Sequence, residues 1–85
     1  MTTWRIELKD TCAHRGDRFE NLIHTLTQAE LDTEFDDGYG SPEGVPFTAW
    51  SDDWVYFPVV YDGTEWVGTV PRNPCGKKTV HVGNW

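Results

Sequence analysis

Along residues 4–8 the side chains alternate Trp, Arg, Ile, Glu, Leu, which sets Trp4, Ile6 and Leu8 on one side at a period of two. A period of two predicts a half-buried strand. The polar stretch DTCAHRGD follows and reads as a loop closing on Gly16 and Asp17, where the Asp17 carboxylate is placed to accept exposed amides and start a helix. Phe19, Leu22, Ile23 and Leu26 then recur at i, i+3, i+4 and i+7, one apolar stripe of a short helix.

Thr27, Gln28, Ala29 and Glu30 form a capping box, with Leu26 and Leu31 where a hydrophobic staple would sit. This predicts a second helix over about residues 28–37, buried through Leu31 and Phe35 and ended by Gly38 in a left-handed conformation. Its other side would carry Glu30 with Glu34 and Asp32 with Asp36, each pair roughly 5–6 Å apart at Cβ. Acids late in a helix oppose its dipole, so Asp36 and Asp37 are locally unfavourable. After the loop GYGSPEGVP the period returns to two: a strand at residues 47–50, a turn at 51–53, and the aromatic and β-branched run WVYFPVVY at residues 54–61. Asp62-Gly63 predicts a hairpin to a partner strand at residues 65–70. Pro58 requires an edge or a bulge, and residues 79–82 are placed for one last short strand. The expected architecture is α+β: one domain spanning residues 1–85, with an antiparallel sheet of three to five strands and two short helices packed on one face.

Composition changes this picture less than the arrangement of charge does. The chain has 85 residues and a formal charge of -7, from fourteen acids against seven Lys and Arg. Net negative charge disfavours ordinary nucleic-acid binding. Residues 19–71 contain Glu20, Glu30, Asp32, Glu34, Asp36, Asp37, Glu43, Asp52, Asp53, Asp62 and Glu65 and not one Lys or Arg, whereas residues 72–85 contain three bases and no acid. Solubility needs net charge but does not need such segregation. No basic stretch leads into an apolar run, so a cytoplasmic location with reduced cysteines is expected.

From Leu26 to Pro74 the text LTQAELDTEFDDGYGSPEGVPFTAWSDDWVYFPVVYDGTEWVGTVPRNP resembles small acidic accessory proteins of tailed phages and prophages. In size and acidity the chain is also similar to anti-CRISPR and anti-restriction inhibitors, some of which mimic DNA. The first resemblance implies a source in phage and no catalytic residues. The second implies an inhibitor working in the host bacterial cytoplasm.

Four constellations of residues carry candidate chemistry. Glu30, Asp32, Glu34, Asp36, Asp37, Glu43, Asp52 and Asp53 form the candidate partner-binding face: carboxylates in rows could meet the Lys and Arg that otherwise hold DNA phosphates. The expected partner is a basic DNA-binding host protein, such as a CRISPR effector subunit, with no direct nucleic-acid binding and no membrane. The plain alternative is a solvated surface. Cys12, His14, Cys75 and His81 contain the ligand types of a zinc site, but at spacings unlike the usual zinc folds, so no metal or other cofactor is expected. A Cys12–Cys75 disulfide stays open on sequence alone. No GxSxG, HExxH, P-loop or GxGxxG run is present, and adjacent carboxylates such as Asp36 with Asp37 or Asp52 with Asp53 are usually solvated, so the chain reads as non-enzymatic. Finally, Trp50, Trp54, Tyr56, Phe57, Tyr61 and Trp66 make both sheet faces apolar. One face packs on the helices. The other calls for cover by the N-terminal segment, a dimer mate or a target, which leaves monomer and homodimer both open and supplies a different functional reading: an accessory or structural phage protein that self-associates through an aromatic sheet.

Overall fold

Thr3 opens the first helix, its hydroxyl accepting from the Ile6 amide at 3.2 Å. The computed structural model, which describes residues 1–36 and 43–82, runs this helix (α1) over Trp4–Arg15 and ends it at Gly16 with φ +76°. The expected first strand is therefore a helix. Trp4, Leu8 and Cys12 lie at i, i+4 and i+8 and are all buried, while Ile6, which the alternation placed inside, is 57% exposed. A spacing of four over three positions outweighs two steps of alternation, and the polar stretch from Asp10, expected as a loop, supplies the last helical turns.

Asp17 caps no helix. Phe19–Asn21 forms a single 3-10 turn, followed by a two-residue strand, β1 (Ile23–His24). Leu22 and Leu26 are buried as the apolar stripe requires, but Ile23 is 67% exposed. Pairing wins over the helix here: Ile23 and His24 sit opposite Trp50 and Ala49, and the Thr25 amide donates to the Thr48 carbonyl.

The capping box forms as expected and starts α2 (Gln28–Asp32). This helix stops well short of residue 37. Thr33 is extended, and Phe35 instead makes a mutual pair of backbone hydrogen bonds with Thr2 at 3.0 and 2.9 Å. Gly38, the expected helix end, lies outside the described residues. Two backbone bonds to the N-terminal segment, together with burial of Phe35, replace a helical turn that would have set acids against the dipole.

The remaining elements are β2 (Ala49–Trp50), β3 (Trp54–Tyr61) and β4 (Thr64–Pro71), joined in an antiparallel sheet of order β1-β2-β3-β4. Asp62 and Gly63 both have positive φ, the two-residue turn whose twist suits a hairpin. Pro58 lies two residues beyond the last β2 pairing, Ala49↔Tyr56, so on that side the strand is an edge and no ladder bond is lost. Residues 79–82 are exposed and form no strand.

The expected α+β class, an antiparallel sheet with two helices, is what the fold shows. Trp4 centres the core, its ring 4.7 Å from Phe35 and 4.9 Å from Phe47 and its indole N–H donating to the Val45 carbonyl. Leu8, Cys12, Leu22, Leu26, Leu31, Ala49, Tyr56 and Val67 complete it. Because Ala49, Tyr56 and Val67 pack with residues of both helices, alternation places Trp50, Val55, Phe57, Val59, Trp66 and Val70 on the opposite sheet face. Those side chains are half-buried, and neither described α-helix lies on them. Phe57 and Val59 lie over Gly68, where a Cβ would approach their side chains to 2.8 Å.

Candidate functional site

Of the eight carboxylates picked out on the sequence, the seven within the described residues do not form one surface. Glu30 is partly buried, and its carboxylate is used in the capping box, accepting the Thr27 amide at 2.9 Å. Asp32 is exposed but gripped by Arg5, whose Nε and Nη2 donate to its two oxygens at 2.7 and 3.1 Å. That hydrogen-bonded guanidinium holds the Asp32 carboxyl below its ordinary pKa. Glu34 and Asp36 are exposed on the strand-like stretch around Phe35. Glu43 is exposed, accepts the Asp36 amide at 3.2 Å and donates its own amide to Glu65 at 2.8 Å. Asp37 lies outside the described residues.

Asp52 and Asp53 sit elsewhere. Their backbone carbonyls accept from Asn73 and Arg72 in the turn before β3. Glu43 and Gly44 instead meet Glu65, which pairs with Val60 near the far end of β3. Six residues of strand separate those two ends, or about 20 Å. Glu30, Asp32, Glu34, Asp36 and Glu43 thus belong to one end of the molecule, and Asp52 and Asp53 to the other. The acids on α2 cannot form the expected rows with Glu34 and Asp36, since the helix has ended before them.

The bases missed as a site gather at the second end. The Arg15 guanidinium stacks on Trp54 with Cζ 4.0 Å from the ring centroid and donates to Thr69 Oγ1 from Nε and Nη2 at 3.0 and 2.7 Å. Lys77 Nζ is 5.9 Å from the same ring. Their positions in the chain, fifteen residues from the start and in the tail, made them look like dispersed compensation. Only the pairing of β4 with β3 brings Thr69 and Trp54 to Arg15.

Two internal sites were also not legible. Glu65, only 4% exposed, accepts the Glu43 and Gly44 amides at 2.8 and 3.0 Å. The buried Tyr56 hydroxyl donates to Asp17, and burial first, then that hydrogen bond, raises the phenol's pKa far above its usual range. Cys12 packs beside them, and burial raises its thiol pKa. Both cysteines are free, Cys12 buried and Cys75 exposed, so the disulfide left open on sequence is not formed. Among the described residues no three His, Cys, Asp or Glu side chains converge as metal ligands, and no helix is long and apolar enough to cross a membrane.

The fold and its two charged ends define a helix-backed, four-stranded antiparallel α+β protein. Compared with protein families, curated proteins and solved structures, the chain finds no match in any of the three.

Proposed function

We propose that the chain is a non-catalytic phage-encoded inhibitor of a bacterial defence system, of the anti-CRISPR kind. It works in the host cytoplasm by setting its acidic end into the basic groove of a DNA-handling protein. Competition with DNA is the mechanism, without turnover. The observation that supports this reading is the grouping of Glu30, Asp32, Glu34, Asp36 and Glu43 at one end, with Arg5 bound to Asp32 among them. Exposed Glu34, Asp36 and Glu43 carry the contact, while Asp52 and Asp53 drop out of it. The test is capture of a partner from bacterial lysate at low and high salt, followed by a DNA-binding assay on the captured protein. A Glu34→Gln, Asp36→Asn, Glu43→Gln variant should bind about tenfold more weakly, at roughly 0.5 kcal/mol per exposed charge, with a flatter salt dependence. Equal capture and equal inhibition by this variant would overturn the reading.

The half-buried apolar face of Trp50, Phe57, Val59 and Trp66 supports a second reading, an accessory or structural phage protein that self-associates through its sheet.

A further inference from the structure

A cleft of about 600 Å³ runs between the outer edge of β4 and residues 77–82, and its charge is opposite to that of the molecule. Arg15, Lys77, Lys78 and His81 line it together with Trp54 and Trp66, and among the described residues that line it there is no Asp or Glu. The ion pairs among the described residues are Arg5–Asp32 and Arg18–Glu20, so Arg15, Lys77 and Lys78 have no carboxylate partner there. In a chain with twice as many acids as Lys and Arg, three bases on one cleft with no carboxylate partner among the described residues are the reverse of what solvation alone distributes.

Arg15 is also pre-set. Its two hydrogen bonds to Thr69 and its stacking on Trp54 fix the guanidinium plane before any ligand arrives. Trp54 lies on the helix side of the sheet beneath Arg15, so the ring left for stacking is Trp66, half-buried on the opposite face. A simple anion would use the cations and leave that ring idle. An acidic peptide offers carboxylates, with a flat ring only where an aromatic side chain happens to be interspersed. A nucleotide offers both a phosphate and a ring that stacks.

We propose that this cleft binds nucleotide units, with phosphate held by Arg15, Lys77 and Lys78 and a base against tryptophan. Arg15 is held at Thr69, three residues along β4 from Trp66, or about 10 Å, a span that suits a short single strand with a base on Trp66 and its neighbouring phosphates on the cations. The net charge of -7 still repels a long duplex, so the expectation of no direct nucleic-acid binding is narrowed to duplex DNA.

The test is polarisation of a labelled twelve-nucleotide oligo-dT with the full chain, together with tryptophan quenching. With three phosphate contacts, raising salt from 50 to 200 mM should weaken single-strand binding about twentyfold; in a Lys77→Gln, Lys78→Gln variant the same change should weaken it only about threefold. Both lysines are exposed and outside any helix or strand, so the variant keeps the fold. Competition by thymidine monophosphate as strong per nucleotide as by the oligomer identifies a free nucleotide as the source, and stronger competition by the oligomer identifies a strand; either supports the site. Absence of binding at 50 mM salt, unchanged binding in the double lysine variant, or equal competition by inorganic phosphate or poly-glutamate would overturn it. The Glu34→Gln, Asp36→Asn, Glu43→Gln variant should bind oligo-dT at least as well as the wild type, which separates failure here from failure of the inhibitor reading.

Discussion

At the residue scale, Arg5 spends its charge inside the acidic end rather than leaving that end to a partner. Its fork meets both oxygens of Asp32, its Nη2 donates to Gln28, and its guanidinium carbon lies 5.6 Å from the Phe19 ring centroid. The pair is exposed, so its effect on stability is small and screened by salt. Its sign is nevertheless fixed. The folded-state pKa of Asp32 lies below the ordinary 3.8, so the contribution is present above about that pH and is lost as pH falls through the folded value. Arg5→Gln should therefore narrow the stability gap to wild type between pH 7 and pH 3, measured by urea unfolding at both. A gap that stays constant would show that Arg5 acts by packing on Phe19 alone. The same substitution frees Asp32 and should strengthen any contact made through the acidic end.

At the scale of elements, the link between residues 43–44 and β4 holds the acidic end in place. Gly44 lies where a Cβ would come within 2.6 Å of the Trp4 ring and 2.9 Å of a Glu65 oxygen. Neither neighbour is free to yield, because Trp4 is packed between Phe35 and Phe47 and Glu65 holds two amides. Gly44→Ala should cost roughly 1–3 kcal/mol in chemical unfolding by overpacking, and it should displace Glu43. A loss well below 1 kcal/mol would mean the loop shifts freely and does not fix that carboxylate. Much of this level was legible beforehand. β3, its hairpin turn and the start of α2 each carry a local signal, namely a β-branched run, Asp-Gly and a capping box. The misses share a cause. α1 shows three inward positions in twelve residues, with Ile6 pointing out, so its period was too sparsely marked to beat a short alternation. The ends of the expected helices at residues 19–26 and 28–37 were set by partners distant in sequence, Trp50 and Ala49 in one case and Thr2 in the other. The candidate face divides for the same reason: proximity in sequence joined Asp52 and Asp53 to the other acids, whereas the six residues of β3 between Trp54 and Val60 set the two ends about 20 Å apart.

At the scale of the whole molecule, the helices cover one side of the sheet, and the other presents Trp50, Val55, Phe57, Val59, Trp66 and Val70, with Ile23 and Tyr61 more open at its margin. Antiparallel sheets usually turn polar side chains to water on such a face. The substitutions that probe association are accordingly not at Trp54, which is stacked by Arg15, nor at Tyr56, which is in the core, but on this face. β3 and β4 give it about 25 Å by 10 Å, widened by the short β1 and β2. That falls below the roughly 800 Å² per partner of a standard stable interface, so a dimer built on it should be weak and governed by concentration. Multi-angle light scattering should accordingly give a mass near 9.8 kDa in dilute solution that climbs toward twice that value as concentration rises. Val59→Lys sets a charge at the middle of the face without entering the core, and should hold the mass at the monomer value throughout. A wild-type mass that stays monomeric up to millimolar concentration would overturn self-association, and it would leave the two charged ends to carry the protein's contacts.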